Sequence, residues 1–127
     1  MKNNFLEATK GNLVVSCQAL PGEPLHSSFI MARMSRAAKQ AGAAAIRANS
    51  VVDIQAIQDE AHLPMIGLAK VDYDDSPVYI TPTMKEMRAV ASTGCEVVAC
   101  DVTGRPRPNG GKLADIVTQM RKEFPNT

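Results

Sequence analysis

The sequence predicts an α/β fold in which four parallel strands alternate with helices. Short runs rich in Val, Ile and Ala are each followed by a longer segment with helical periodicity. Such alternation favours parallel strands joined by right-handed helical crossovers. The strand runs are apolar almost throughout, as expected for strands covered on both faces. With 127 residues, 45% of them hydrophobic and 21% charged, the chain suits one domain with one core.

The predicted elements form four strand–helix units after a short first helix. Residues 3–9 favour that first helix, which Gly11 ends. The expected strands are residues 13–18, 43–48, 64–70 and 96–101. The expected helices that follow them are residues 28–41, 51–60, 83–93 and 112–124, and the loop after the third strand contains a short extended piece at 78–81.

Polar residues at the expected helix starts support these boundaries. Ser27 is a candidate N-cap for the second helix, and Asn49 or Ser50 is one for the third. Thr83 and Glu86 have the spacing of a capping box, in which the glutamate bonds back to the capping residue. Each cap would begin a helix shortly after a strand.

Two architectures fit the alternation: an open doubly wound sheet, or part of a (β/α)8 TIM barrel. A dinucleotide-binding doubly wound fold needs G-x-G-x-x-G after its first strand, and the loop here reads ALPGEPLHSS. A barrel takes about 250 residues for eight units, or about 31 per unit, so 127 residues correspond to about four. We therefore expect residues 1–127 to be a single N-terminal half-barrel domain, a fragment of a longer chain.

Composition disfavours several classes of protein. The net charge is +1, there is no Trp and aromatic residues are 4%, which argues against nucleic acid as a partner. No apolar run approaches the roughly 18–20 residues of a membrane span. Cys17, Cys95 and Cys100 form no C-x-x-C pair and are expected to be reduced in a cytoplasm. His26 and His62 are isolated, so no metal or cofactor is expected.

Polar residues end the four strands in matching positions. Alternation along the strands places Gln18, Arg47, Lys70 and Asp101 on one face, each preceded by apolar or small residues at the same parity. In a barrel this face is the interior, and the carboxyl ends of the strands carry the active site. The alternative is a salt-bridge network of Arg47, Lys70 and Asp101 that only completes the strands.

Four stretches resemble, in chain order, the first four strands and loops of the N-acylglucosamine-6-phosphate 2-epimerase family. They are VVSCQALPGEPLHSS, AGAAAIRANS, LPMIGLAKVDYDDSPVYIT and GCEVVACDVTGRPRP. The resemblance implies a TIM barrel and an isomerase that interconverts N-acetylmannosamine 6-phosphate and N-acetylglucosamine 6-phosphate in sialic acid breakdown. The implied partner is a phosphorylated N-acetyl amino sugar.

The resemblance also implies roles for individual residues. Lys70 matches the family's active-site lysine, which is implicated in proton transfer at C2, and Arg47 and Gln18 match residues that contact the substrate. In the open-chain sugar the C2 hydrogen is α to the aldehyde, so epimerisation needs a base and stabilisation of the developing oxyanion. A lysine near another cation has its neutral form favoured, and Arg47 would supply that charge. Val71 departs from the family, which often has a basic residue there.

The fourth strand and its loop supply further candidates for substrate binding. Asp101, Arg105 and Arg107 lie in a family-like D-x-T-x-R-x-R-P segment, and the two arginines fit a solvated loop equally well. His26 lies in the first strand–helix loop, where a substrate role and a simple loop role both remain open.

The function expected of this chain depends on the rest of the barrel. The family's catalytic carboxylate and the phosphate site are expected beyond residue 127, in later strands and loops. The chain is therefore either half of an epimerase or an inactive half-barrel that only binds or self-associates. Another phosphosugar decarboxylase or isomerase on the same half lacks these combined motifs. Four strands cut from a barrel would leave two unpaired edges and an uncovered inner face, so we expect self-association.

Overall fold

The computed structural model describes residues 3–127, and the predicted elements are present in the predicted order. The strands are β1 (Val14–Cys17), β2 (Ala45–Asn49), β3 (Met65–Leu68) and β4 (Val97–Val98). The helices are α1 (Phe5–Thr9), α2 (Ser28–Gln40), α3 (Val51–Ala61), α4 (Met84–Ala91) and α5 (Leu113–Glu123), with a 3₁₀ turn at Pro108–Gly110.

The strands lie side by side in chain order, β1-β2-β3-β4, and all of them are parallel. One row across the sheet aligns Ser16, Arg47, Ile66 and Val97. A doubly wound sheet reverses its strand order at a switch point, whereas successive strands of a barrel are always neighbours. The order confirms the barrel alternative, and the fold is half of a TIM barrel.

One face of the sheet packs against helices α2, α3 and α4. Its buried residues, here called the helix-side core, are Cys17, Ala19, Met31, Ile46, Ala48, Ile54, Ile57, Ala61, Met65, Val90 and Cys95. Gly67 of β3 allows a close approach between the sheet and this core. A Cβ there would lie 2.8 Å from Val90 Cγ1 and 2.9 Å from Cys95 Sγ. Only glycine lets the helices pack this closely on β3.

A second apolar cluster and a polar tie complete the packing around β4. Met87 and Ala91 of α4 pack against Ile116 and Met120 of α5. Below the sheet, the Asn3 side chain donates to the carbonyls of Glu96 at 2.6 Å and Asn126 at 2.7 Å. Asn3, the first residue that the structure describes, thereby joins the residue before β4 to the segment after α5.

Three helix starts carry the capping contacts that the sequence predicts. Ser27 Oγ accepts the Ile30 N–H at 3.4 Å, and Ser50 Oγ accepts the Asp53 N–H at 3.3 Å. Ser50 rather than Asn49 therefore caps α3. At α4 the Glu86 carboxylate accepts the Thr83 N–H at 3.0 Å, as a capping box requires.

The outer strands β1 and β4 each leave an edge unpaired within residues 3–127. A groove of about 830 Å³ lies beside β4 and α5, and its lining includes Val97, Met120 and Phe124. A smaller groove of about 370 Å³ lies beside β1 and includes Leu13 and Met34. None of the helices in the described chain is long and apolar enough to span a membrane.

The inner face of the sheet is less open than the sequence predicts. Ala45 and Leu68 share this face with Arg47, yet neither has any exposed surface, whereas Ser16 is exposed. The inner face is therefore only partly uncovered: Ala45 and Leu68 are buried, Ile66 and Val97 are half-buried, and Ser16 is exposed. One reason is that residues 79–81 turn back and pair with residues 69–71 at the end of β3.

Candidate active site

Three of the predicted site residues lie on the inner face at the carboxyl ends of adjacent strands. Gln18, Arg47 and Lys70 are each next in the chain to residues that pack into or against the helix-side core. Those neighbours are Cys17 and Ala19, Ile46 and Ala48, and Ala69. Because successive strand side chains point to opposite faces, the three polar side chains project to the inner side. The Asp101 side chain projects to the inner side by the same alternation, because the side chain of its neighbour Cys100 packs against the second apolar cluster on the helix side.

The two cations of this site have no counter-ion among the described residues. Lys70 and Arg47 are both half-buried, and neither side chain has a hydrogen-bond or ion-pair partner within residues 3–127. The ion pairs of the described chain join Arg33 and Arg36 to Glu60 and Arg88 to Glu123, all between helices. The salt-bridge network that was the alternative interpretation of these residues is therefore not formed. Two unpaired positive groups remain available to an anionic or oxygen-rich ligand.

Gln18 adds a hydrogen-bond acceptor without a donor. Its Nε2 donates to Ser16 Oγ at 2.9 Å. Its Oε1 is buried and has no partner among the described residues. A buried acceptor left unpaired costs about 1–3 kcal/mol, so this amide is poised for an N–H or O–H from a ligand.

Asp101 is already engaged by the neighbouring loop. Its Oδ2 accepts the backbone N–H groups of Tyr79 at 3.1 Å and Ile80 at 3.2 Å. The carboxylate therefore holds the segment that pairs with the end of β3. A contact between Asp101 and substrate stays a prediction.

The two arginines of the fourth loop have different surroundings. Arg105 is exposed, and its Nε lies 3.4 Å from Thr103 Oγ1. Arg107 is only 5% exposed, and its guanidinium donates to the carbonyls of Thr81, Pro82 and Asp101. The expectation that Arg107 could be solvated is wrong because these carbonyls enclose it. Substrate contacts for either arginine stay predictions.

Two residues at the site were not recognised in the sequence. Asn49 is 8% exposed, and its Oδ1 accepts the Lys70 backbone N–H at 2.8 Å. Asn49 lies two residues after Arg47 on β2 and therefore on the same face, so its place at the site could have been predicted from the sequence. Thr81 is fully buried with φ of +46°, and its hydroxyl accepts the Ala69 N–H at 3.1 Å and donates to the Ala99 carbonyl at 2.6 Å. Nothing in the sequence signals a left-handed threonine there.

The histidines remain apart from each other and from any cluster of metal ligands. His26 is exposed, and its Nδ1 lies 2.9 Å from the Ala19 carbonyl oxygen. Burial raises the pKa of the Asp53 carboxyl, an effect that His26 partly opposes. His62 caps the end of α3 with a left-handed backbone. Within residues 3–127, no three His, Cys, Asp or Glu side chains are grouped to hold a metal ion.

The three cysteines are free thiols with a packing role. Burial raises the pKa of Cys17, of Cys95 and of Cys100, with Arg107 partly opposing the shift at Cys100. A raised thiol pKa disfavours the reactive thiolate. Their surroundings therefore favour the protonated thiol, which agrees with a packing role.

Comparison with known proteins finds close relatives along the whole chain. Residues 31–125 match the family described as "Putative N-acetylmannosamine-6-phosphate epimerase". Proteins named "Putative N-acetylmannosamine-6-phosphate 2-epimerase" are 78% identical in Lactiplantibacillus plantarum, 70% in Latilactobacillus sakei and 58% in Listeria innocua, each over all 127 residues. The N-acetylmannosamine-6-phosphate 2-epimerase structure from Clostridium perfringens superposes with a TM-score of 0.93 at 54% identity, over 97% of this chain.

These matches cover only part of each relative. The chain spans 56% of the L. plantarum protein, 55% of the L. sakei protein and 54% of the C. perfringens structure. It therefore spans about half the length of the proteins that it matches. The family match covers most of the chain, and the fold superposes on that of the solved relative. The chain belongs to the N-acetylmannosamine-6-phosphate epimerase family.

Proposed function

We propose that this chain is the N-terminal half-barrel of an N-acetylmannosamine-6-phosphate 2-epimerase and that Lys70 transfers the proton at C2. The observation that carries the proposal is the set of unsatisfied groups at the ends of β1–β3. Lys70 and Arg47 have no counter-ion in residues 3–127, and Gln18 Oε1 is a buried acceptor without a donor there. The names of the relatives supply the substrate class.

The chemistry requires an open-chain sugar with its C2 hydrogen α to the C1 aldehyde. Lys70, as the neutral amine, removes this proton and leaves an enolate, and a proton returned to the opposite face inverts C2. Arg47 donates hydrogen bonds to the oxygen on which negative charge develops. Gln18 Oε1 accepts a hydrogen bond from the acetamido N–H or a sugar hydroxyl.

The remaining requirements are assigned to the other half of the barrel. The second proton-transfer group and the main phosphate site belong there in this proposal, because phosphate sites of TIM barrels commonly lie after the seventh and eighth strands. Residues 1–127 would then be one domain of a longer chain. Asp101, Arg105 and Arg107 stay candidates for further substrate contacts. The proposal places the enzyme in the cytoplasm, which agrees with its free cysteines. Its proposed role is amino-sugar breakdown, in the degradation of sialic acid.

A second candidate is an inactive half-barrel that self-associates. The observation in its favour is the pair of open sheet edges, each beside a groove. Apolar side chains line the groove at β1, and a mixture of apolar and polar side chains lines the groove at β4. Parallel strands with free edges pair readily with another sheet. In this case the chain keeps the half-barrel fold but does not convert the sugar phosphate.

An exchange experiment on the 127-residue chain separates the two candidates. The chain is incubated with N-acetylmannosamine 6-phosphate in D2O, and the C2 proton and the epimer are followed by NMR. Deuterium at C2 without inversion would support proton transfer at Lys70 in the absence of the second group. If the chain exchanges no C2 proton although the sugar phosphate binds and shifts the Lys70 and Arg47 resonances, the inactive half-barrel is favoured.

A further inference from the structure

Arg107 is a buried arginine whose guanidinium bonds to backbone carbonyls of two loops. Its Nε lies 3.2 Å from the Pro82 oxygen, and one terminal nitrogen lies 3.3 Å from the Thr81 oxygen. The other terminal nitrogen lies 2.6 Å from the Asp101 oxygen. Thr81 and Pro82 end the loop after β3, and Asp101 begins the loop after β4. Arg107 therefore joins the two loops at the carboxyl end of the sheet.

The loop segment that Arg107 holds is the backbone partner of the Lys70 segment. The Thr81 N–H donates to the Ala69 carbonyl at 2.7 Å, and the Val71 N–H donates to the Tyr79 carbonyl at 2.9 Å. Lys70 lies between these two bonds and bridges to Ile80 in the antiparallel sense. Any displacement of residues 79–81 would therefore move the backbone of Lys70.

The Thr81–Pro82 turn needs external support. Thr81 has φ of +46°, a left-handed conformation that is unfavourable for a β-branched residue. Such a conformation persists only where the surrounding structure holds it. The carbonyls that accept from Arg107 belong to this residue and to the next one, so the guanidinium bonds directly to the strained turn.

Other hydrogen bonds also join the two loops. Asp101 Oδ2 accepts the Tyr79 and Ile80 N–H groups, the Asp101 N–H donates to the Ile80 carbonyl, and the Thr81 hydroxyl donates to the Ala99 carbonyl at the end of β4.

Two further connections are exposed. Asp75 Oδ2 accepts the exposed Asn109 N–H at 2.7 Å, and the Ser76 hydroxyl donates to the Pro106 carbonyl at 2.5 Å. Exposed hydrogen bonds compete with water, whereas the Arg107 bonds are shielded from it. The Arg107 bonds to the Thr81 and Pro82 carbonyls are the fully buried ones in this set. A planar guanidinium suits three carbonyls at fixed positions better than a lysine ammonium does.

We propose that Arg107 is a positioning residue: its guanidinium holds the Thr81–Pro82 turn against the end of β4 and thereby fixes Lys70, which it does not contact. Whether Arg107 holds the turn does not depend on what Lys70 does. The consequence for proton transfer rests on the proposed function of Lys70.

Amide hydrogen exchange on the 127-residue chain tests whether Arg107 holds the turn. In Arg107→Lys we expect the Val71 and Thr81 amides to exchange at least about tenfold faster, because charge-assisted bonds to the turn are lost. The Ile46 amide, which bonds to Pro64 in the sheet, should change less than about threefold. The matched control is Arg36→Lys. Arg36 is an exposed residue of α2 that pairs with Glu60 of α3, and its substitution should leave the exchange rates of all three amides unchanged.

The outcomes of the exchange experiment are distinct. Equal acceleration at Ile46, Val71 and Thr81 would mean that Arg107 stabilises the whole domain, and no acceleration would mean that it does not hold the turn; either overturns the proposal. Arg107→Met removes every donor and should accelerate exchange at the turn further. If Arg107→Met does not fold, Arg107→Lys still decides the question.

Kinetics on the whole protein that carries this half test the consequence for Lys70. A positioning residue should lower kcat with KM changed less than about threefold, and Arg107→Lys should retain more turnover than Arg107→Met. A raised KM with unchanged kcat would instead show direct substrate contact and overturn the proposal. If the kinetics of the wild-type protein or of Lys70→Met contradict the proposed function, the amide exchange rates still decide whether Arg107 holds the turn.

Discussion

Gln18 shows at the residue scale how a polar group can be kept for a ligand at the expense of stability. Its Oε1 is buried without a donor in the described chain. Removing an unpaired buried acceptor is close to neutral or stabilising, whereas removing one partner of a ligand bond weakens binding. The same substitution should therefore have opposite effects on folding and on substrate affinity.

For Gln18→Met we predict a free energy of unfolding that is unchanged or higher by up to about 1 kcal/mol. In the whole protein, KM should rise by about two- to tenfold, the loss of one neutral hydrogen bond. Urea unfolding and steady-state kinetics measure the two quantities. A clear loss of stability with unchanged KM would assign Gln18 a structural role instead.

Individual site residues differ in how far the sequence alone could reveal them. Gln18, Arg47 and Lys70 could be predicted because each follows an apolar run at constant parity, and alternation along a strand is a local property. The roles of Thr81 and Arg107 could not, because they depend on where the loop after β4 meets the loop after β3. Those contacts join residues about 25 positions apart in irregular segments, and no local pattern encodes them.

At the scale of elements, α4 begins with a buried carboxylate held by hydroxyl groups. Glu86 is 6% exposed, and it accepts hydrogen bonds from the Tyr73 hydroxyl at 2.7 Å and from the Thr83 hydroxyl. Burial alone raises the pKa of this carboxyl. The bonds from Thr83, Tyr73 and the backbone outweigh that effect, so the pKa lies below its usual value. The ionised form of Glu86 thus stabilises the start of the helix.

Because the folded-state pKa of Glu86 is lowered, its contribution should be complete above the unfolded value of about 4.3 and should be lost as the pH falls through the folded value. Glu86→Gln should therefore be less stable than wild type at pH 7, and the difference should shrink toward pH 3. Urea unfolding at pH 7, 5, 4 and 3 measures this. A difference independent of pH would show that the charge of Glu86 contributes nothing.

The predicted positions of the elements are confirmed, while their ends are not all correct. The fourth strand was expected over residues 96–101 and is reduced to Val97–Val98. Beyond it the Ala99 N–H still donates to Gly67, but the Asp101 N–H donates to Ile80 of the returning loop. The run of apolar residues predicts the extended backbone correctly. It cannot reveal that a loop replaces β3 as the hydrogen-bond partner.

At the scale of the whole molecule, the strand order identifies half of a closed architecture. The repeat length and the missing phosphate-binding glycine motif together favoured a barrel, and neighbouring strands in chain order confirm it. The consequence is a sheet with two free edges in the described chain. Each edge lies beside a groove that contains apolar side chains, so the isolated half exposes surface that a complete barrel would bury.

We predict that the isolated 127-residue chain self-associates through these edges. Its mass in light scattering should rise with concentration, and Leu13→Ser, beside the β1 groove, should weaken the association. Phe29→Ser is the matched control, because Phe29 is 66% exposed, as Leu13 is 67%, but lines neither groove. A monomer at every concentration would contradict this prediction.

The central claim is that Lys70 transfers the C2 proton, and one measurement tests it most directly. In the whole protein that carries this half, turnover and C2 deuterium exchange with N-acetylmannosamine 6-phosphate are compared between Lys70→Met and Lys85→Met, an exposed lysine on α4. We predict that Lys70→Met loses about 10²–10⁴-fold in both rates, as expected for a general base, while Lys85→Met matches wild type. Near-normal turnover and exchange in a folded Lys70→Met protein would contradict the claim.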